Sequence, residues 1–238
     1  MGRAYEVRKA SIQKTGAMKA KLYSMYAREI YQAAKTGGVD IECNAQLKRL
    51  TERAKKEQVP SDIIKRAIDK VNSGALENYD SVRYELFGPN GSTLIVDCLT
   101  DNVNRTLSFI RPALNKNNGK MGVNGSVSYM YDHICIISFD GLSVDETLEL
   151  MIENDIDVDD IVLEDHVTIY GASTDLFRIK EAIISKLPNV NFELDEIVML
   201  AKDKVTLEGE DLDNFKRMLE MLENIEDVQN IYHNVENI

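Results

Sequence analysis

The sequence has no tryptophan, four prolines and three cysteines in 238 residues. No apolar run approaches the roughly 18–20 residues that a bilayer-spanning helix needs. Cys43, Cys98 and Cys135 are odd in number, far apart and form no C-x-x-C pair. That spacing supports neither a disulfide framework nor a metal site. Cys98 in L-I-V-D-C-L and Cys135 in I-C-I-I-S-F read as small buried hydrophobes in a reducing compartment. The start, M-G-R-A-Y-E-V-R-K, carries charge without an apolar core, so it does not read as a secretory signal. Gly2 is followed by no Ser or Thr at the position a myristoylation site requires. A cytoplasmic protein is expected, with no membrane partner. G-x-S-x-G and G-x-x-x-x-G-K-[ST] are both missing. His133, His166 and His233 have no ligand at matched spacing, and the run Asp155, Asp157, Asp159, Asp160 lacks the Gly and Glu of a calcium loop. No enzyme, cofactor or metal is expected.

What is there is an uneven charge. Residues 1–70 hold 16 Lys+Arg against 8 Asp+Glu, a net of +8. Residues 71–139 hold 5 against 6, and residues 140–238 hold 7 against 26, a net of −19. A basic lobe and a strongly acidic lobe flank a near-neutral centre.

The basic lobe reads as helical. Met18, Leu22, Met25, Tyr26, Ile30 and Ala33 make one apolar face over 17–36, and Gly37-Gly38 is a stop. Asn44 caps a second helix and Pro60 opens a third. Three short amphipathic helices bury their faces only by packing together. Their outward residues are mostly basic: Lys19, Lys21, Arg28, Lys35, Lys48, Arg49, Arg53, Lys55, Lys56, Lys65 and Arg66. A single-signed excess in an acidic protein points to a polyanion surface. Arg3, Arg8, Lys9 and Lys14 form either a solvated terminus or an arm that orders on nucleic acid. Tyr23, Tyr26 and Tyr31 read as packing residues.

After a linker at 75–80, V-R-Y-E-L-F, G-P-N-G and S-T-L-I-V-D-C-L-T predict a β-hairpin. Asn102 or Asn104 caps a helix to about Asn115, which Pro112 should kink or shorten. Residues 117–125 read as a Gly/Asn-rich loop, either a flexible connection or a surface contacting RNA or a partner. S-V-S-Y-M-Y-D reads as a strand by alternation. I-C-I-I-S-F starts a β-α-β-β-α-β split motif, with a capping box at Ser143 and Glu146. V-T-L, a helix over 210–223 and a last strand remain to complete the earlier ββαβ. The fold class is therefore α+β. The expected domains are 1–78, a discontinuous 79–139 with 201–238, and an inserted 140–200.

Three pieces within residues 84–132 stand out as an ordered set: Y-E-L-F-G-P-N-G at 84–91, L-T-D-N-V-N-R-T at 99–106 and N-G-S-V-S-Y-M at 124–130. In these the chain resembles the YebC/PmpR family of probable transcriptional regulators, which includes a mitochondrial translational activator of cytochrome oxidase. The M-G-R start and F-G-P-N-G resemble the YeeN-like branch. The motif residues are Tyr84, Gly88, Pro89, Gly91, Asn102, Asn104, Arg105, Gly119, Gly122, Gly125 and Ser126. The resemblance implies three domains in a crescent: a helical one and two ferredoxin-like α/β domains, the last inserted into the middle one. It also implies a non-enzymatic protein acting on promoter DNA or on the ribosome, relieving stalls such as those at proline runs. Tyr5 stands near the family's N-terminal Trp. Two function classes follow: a nucleic-acid-binding regulator, or an adaptor whose acidic lobe docks a basic protein. A monomer is favoured.

Overall fold

The computed structural model describes residues 16–74 and 77–238. Among the described residues the basic lobe forms three helices: α1 (Gly16–Gly37), α2 (Ala45–Lys56) and α3 (Ser61–Asn72). Leu22, Tyr26, Ile30, Leu47, Leu50, Ala54, Ile64 and Ala67 interlock as one core. Asn44 ties the first two helices together. Its Oδ1 accepts the Leu47 N–H at 3.0 Å, and its Nδ2 donates to the carbonyls of Ala33 and Gly38. Gly38, with φ +93°, supplies the left-handed turn that stops α1. Tyr31 is buried, and its hydroxyl donates to the Glu77 carbonyl at 3.1 Å.

β1 (Asp80–Phe87) and β2 (Thr93–Thr100) form the hairpin, closed by a tight turn at Pro89–Gly91. They join β3 (Lys120–Met121) and β8 (Val228–His233) in an antiparallel sheet of order β3-β1-β2-β8. Tyr84, Leu86, Leu94, Val96 and Cys98 alternate onto one face. They pack there against Ile110 and Leu114 of α4 (Val103–Asn115) and Phe215 and Met218 of α7 (Gly209–Glu223). Burial pushes the Cys98 thiol up to about 12, which keeps it an inert hydrophobe.

The second sheet has order β5-β6-β4-β7, built from β4 (Tyr131–Phe139), β5 (Val158–Leu163), β6 (Val167–Ala172) and β7 (Phe192–Ala201). With α5 (Val144–Glu153) and α6 (Leu176–Lys186) it follows the β-α-β-β-α-β order. The Ser143–Glu146 capping box forms, and it starts α5. Cys135, Ile137, Phe139, Val167 and Ile169 meet Leu150, Met151, Ile179 and Ile183 in a separate core.

The chain divides into two compact units, one of residues 131–202, the other continuing from the helical bundle to Met130 and resuming at Asp203. The sequence-derived border at 140 therefore moves to 131. Residues 131–139 are β4, which pairs along its whole length with β7 and from Ile134 onward with β6.

Two local expectations change. S-V-S-Y-M is not strand: Ser128–Met130 is a single 3-10 turn, and extended structure begins at Tyr131. The backbone N–H groups of Gly125, Val127 and Ser128 all donate to the Glu85 carboxylate, so they are unavailable to a ladder. Pro112 does not shorten its helix, since α4 continues to Asn115 with Pro112 on its exposed side. Among the described residues no helix is long and apolar enough to cross a membrane.

Candidate nucleic-acid interface

The eleven basic residues that the sequence assigns to the bundle's outer face divide into two groups. Lys48, Lys55 and Lys56 on α2 and Lys65 and Arg66 on α3 are exposed. Helical periodicity explains this: Leu47, Leu50, Thr51 and Ala54 take the inward side of α2, and Ile64 and Ala67 that of α3. Lys48 pairs with Glu42 at 2.7 Å, and Arg66 with Asp62 at 3.7 Å, both at the exposed surface. Such pairs hold a cation weakly and release it to a competing phosphate. Lys19 and Lys35 are also exposed, although Lys35 spans to the Glu77 carbonyl and Asn78.

The second group turns inward, against expectation. Arg28 donates to Asp227 at 2.9 Å and pairs with Glu226. Lys21 donates to the Glu223 carbonyl, and burial lowers its pKa against the opposing pull of Glu223. Arg49 and Arg53 are partly buried beside Glu29, whose pKa is raised by burial although both guanidinium groups oppose the rise. These four cations compensate internal carboxylates and backbone. Arg3, Arg8, Lys9 and Lys14 lie outside the described residues.

Part of the motif set gathers around two buried carboxylates that sequence reasoning missed. Asp227, on the turn before β8, accepts from Thr100 at 3.1 Å, Thr106 at 2.8 Å, Arg105 at 3.1 Å and Arg28 at 2.9 Å. Three of these donors belong to L-T-D-N-V-N-R-T. Asn102 of that motif caps α4 by accepting the Arg105 N–H at 3.0 Å, and Asn104 is exposed. Burial alone would raise the Asp227 pKa, but the hydrogen bonds from Thr106 and Arg105 outweigh it and hold the carboxyl below its ordinary value.

Glu85 of Y-E-L-F is the second. Its carboxylate accepts the N–H of Gly125 at 2.7 Å and of Ser128 at 2.9 Å, together with that of Val127. Burial pushes its pKa up, and these three backbone donors pull it net below the ordinary value. Gly122 donates to the Glu85 carbonyl at 2.7 Å; a Cβ there would sit 2.4 Å from Ser126 Oγ. Gly119 is as tightly held: a Cβ would lie 2.9 Å from Leu114 and from Met218. Gly88 closes the hairpin by donating to Ser92 O at 2.8 Å against Met218 and Phe215, Pro89 and Tyr84 are buried, and Gly91 has φ +77°. The motifs thus encode a scaffold, and the loop at 117–125 is an ordered turn wound on Glu85. The one sequence signal for the two carboxylates was their position in or near apolar strands, where an acid needs partners.

Among the described residues no group of three His, Cys, Asp or Glu is arranged to hold a metal ion. His166 pairs with Asp140 at 2.9 Å, and His233 packs edge-on against Phe215.

Residues 3–74 match the TACO1/YebC protein N-terminal domain, and residues 79–235 match the TACO1/YebC second and third domain. A probable transcriptional regulatory protein of Marinobacter nauticus is 46% identical over 99% of this chain and 98% of its own length. A protein of the same description from Shewanella oneidensis is 45% identical over 99% of both chains. The crystal structure of a conserved hypothetical protein from Aquifex aeolicus superposes with a TM-score of 0.76 at 34% identity, covering 94% of this chain and 92% of that one.

Proposed function

The chain belongs to the TACO1/YebC family, and from that premise we propose that it is a non-enzymatic regulator of gene expression that binds nucleic acid through the outer face of its helical bundle. Its relatives are described as probable transcriptional regulatory proteins. The observation that supports the reading is the exposed set Lys48, Lys55, Lys56, Lys65 and Arg66, carried on two successive helices in a chain of net charge −12. Phosphate contacts from such a set supply affinity without reading sequence.

Base readout in a major groove would need Arg, Asn or Gln directed outward from a recognition helix. On α2, Asn44 is consumed as a cap and Arg49 and Arg53 lie beside Glu29, leaving Gln46 exposed. That observation favours recognition of backbone and shape. It suits ribosomal RNA or a ribosome at least as well as promoter duplex.

The test replaces Lys48, Lys55, Lys56, Lys65 and Arg66 by Gln and titrates salt against duplex DNA and against ribosomes by sedimentation. Each lost phosphate contact flattens the log-affinity slope by roughly 0.9 on duplex and about 0.7 on single strands. An unchanged slope and affinity would remove the bundle as the binding surface. Glu210→Gln, Asp213→Asn and Glu220→Gln, at positions exposed on or beside the start and end of α7, form the control set. Loss of partner capture in that control, with the basic set silent, would indicate instead an adaptor docking a basic protein.

A further inference from the structure

Residues 102–131 are the longest stretch of the chain without an Asp or Glu. Inside it, residues 120–129 wind around the Glu85 carboxylate and are pinned by three backbone N–H groups. Val127 is fully buried and anchors the turn from within. Its neighbours do the opposite. Tyr129 is 68% exposed and Val123 76% exposed, with Met121 and Lys120 also at the surface. An aromatic ring and two aliphatic side chains held in water on a fixed loop gain nothing within the chain. Carried within ten residues of one pinned loop, they mark a contact surface.

We propose that this loop docks unpaired nucleotides, with Tyr129 stacking on a base, Val123 and Met121 bordering it, and Lys120 meeting a phosphate. The proposal rests on the nucleic-acid reading above and specifies its single-stranded form. Three features select nucleotides over a protein. The stretch carries Arg105, Arg111, Lys116 and Lys120 and no acid of its own, and the carboxylate beneath the loop, Glu85, is buried and held by three backbone N–H groups. A lone exposed ring stacks on any base. The Glu85 carboxylate already fills the amide cradle, so what the loop still offers a ligand is its exposed side chains. Paired bases in a duplex are stacked on each other and are unavailable to the ring.

The absence of tryptophan makes the test direct. In the full chain, a Tyr129→Trp substitution introduces a single indole. Saturation with a single-stranded oligouridylate should quench its emission, and a duplex of equal length should not. Tyr129→Ala should weaken oligouridylate binding about tenfold and leave duplex affinity unchanged, while Tyr129→Phe retains it. Lys120→Gln should flatten the oligouridylate salt slope by about 0.7. Exposed positions keep these variants folded, which circular dichroism checks. An indole that stays bright with oligouridylate bound, or a Tyr129→Ala chain of wild-type affinity, overturns the loop proposal and leaves the bundle reading standing. In that case the exposed side chains belong to a protein contact. If the wild-type chain binds neither probe nor ribosomes, both readings fall together.

Discussion

Asp227 shows how much one side chain settles. Its carboxyl has a folded pKa below its unfolded value, so it contributes stability above about pH 3.9 and loses it as pH falls through the folded value. Glu85 acts in the same direction, from an unfolded value of about 4.3. Denaturant melts taken across the acid range should therefore show stability falling below about pH 4. Asp227→Asn should flatten that limb and cost about 3 kcal/mol at neutral pH, because Arg28 and Arg105 lose the buried carboxylate they share and keep only the exposed Glu226 and Asp101. A variant whose acid limb matches wild type would show that other carboxyls control it. The two loop glycines differ for a steric reason. Gly125 has φ +84° and open space around it, so Gly125→Ala costs only the left-handed penalty, about 1–2 kcal/mol. Gly122→Ala drives a Cβ against Ser126 Oγ and the Glu85 carbonyl, and should lower the melting temperature further. Equal losses would contradict the packing described.

At the scale of elements, legibility followed the range of the cause. The bundle helices, the capping box on α5 and the hairpin were readable because their signals lie within a few residues: apolar spacing, Ser143 with Glu146, and Gly88-Pro89-Asn90-Gly91. Residues 126–130 were misread as strand because what pins them is Glu85, some 40 residues earlier. Lys21 and Arg28 looked like surface cations for the same reason: the groups they satisfy come from the far end of the chain. A charge count could find the basic bundle, but it could not say which of its cations are spent. Pro112 makes a sharper point about α4. It sits within the helix and removes a backbone donor, yet the helix runs on, supported by Ile110, Ala113 and Leu114 in the core. Pro112→Ala should restore the missing bond and stabilise the protein by about 1–3 kcal/mol. Destabilisation in a thermal melt would mean that the ring's own contacts outweigh the bond.

For the whole molecule, the decisive feature is that residues 131–202 enter and leave through paired strands. Tyr131 lies opposite Ala201 in the β4–β7 ladder, so their Cα atoms are about 5 Å apart. Joining Met130 to Asp203 through a short Gly/Ser linker should leave the remaining chain cooperatively folded, as read by calorimetry and circular dichroism. A broad, non-cooperative transition would argue against independent units. The clamp on Asp227 also has a consequence in time. Arg28 and Asp227 are 199 residues apart. At about 5–20 residues per second of synthesis, the bundle waits roughly 10–40 s for its counter-charge to be made. Throughout that interval Arg28 has no acceptor at position 227, and Thr100, Arg105 and Thr106 join it once made, on a nascent chain whose leading lobe is positive and still attached to a ribosome. A message cut short before codon 227 would yield a protein that keeps every surface cation and lacks the anchor that holds Arg28 and Arg105 inward.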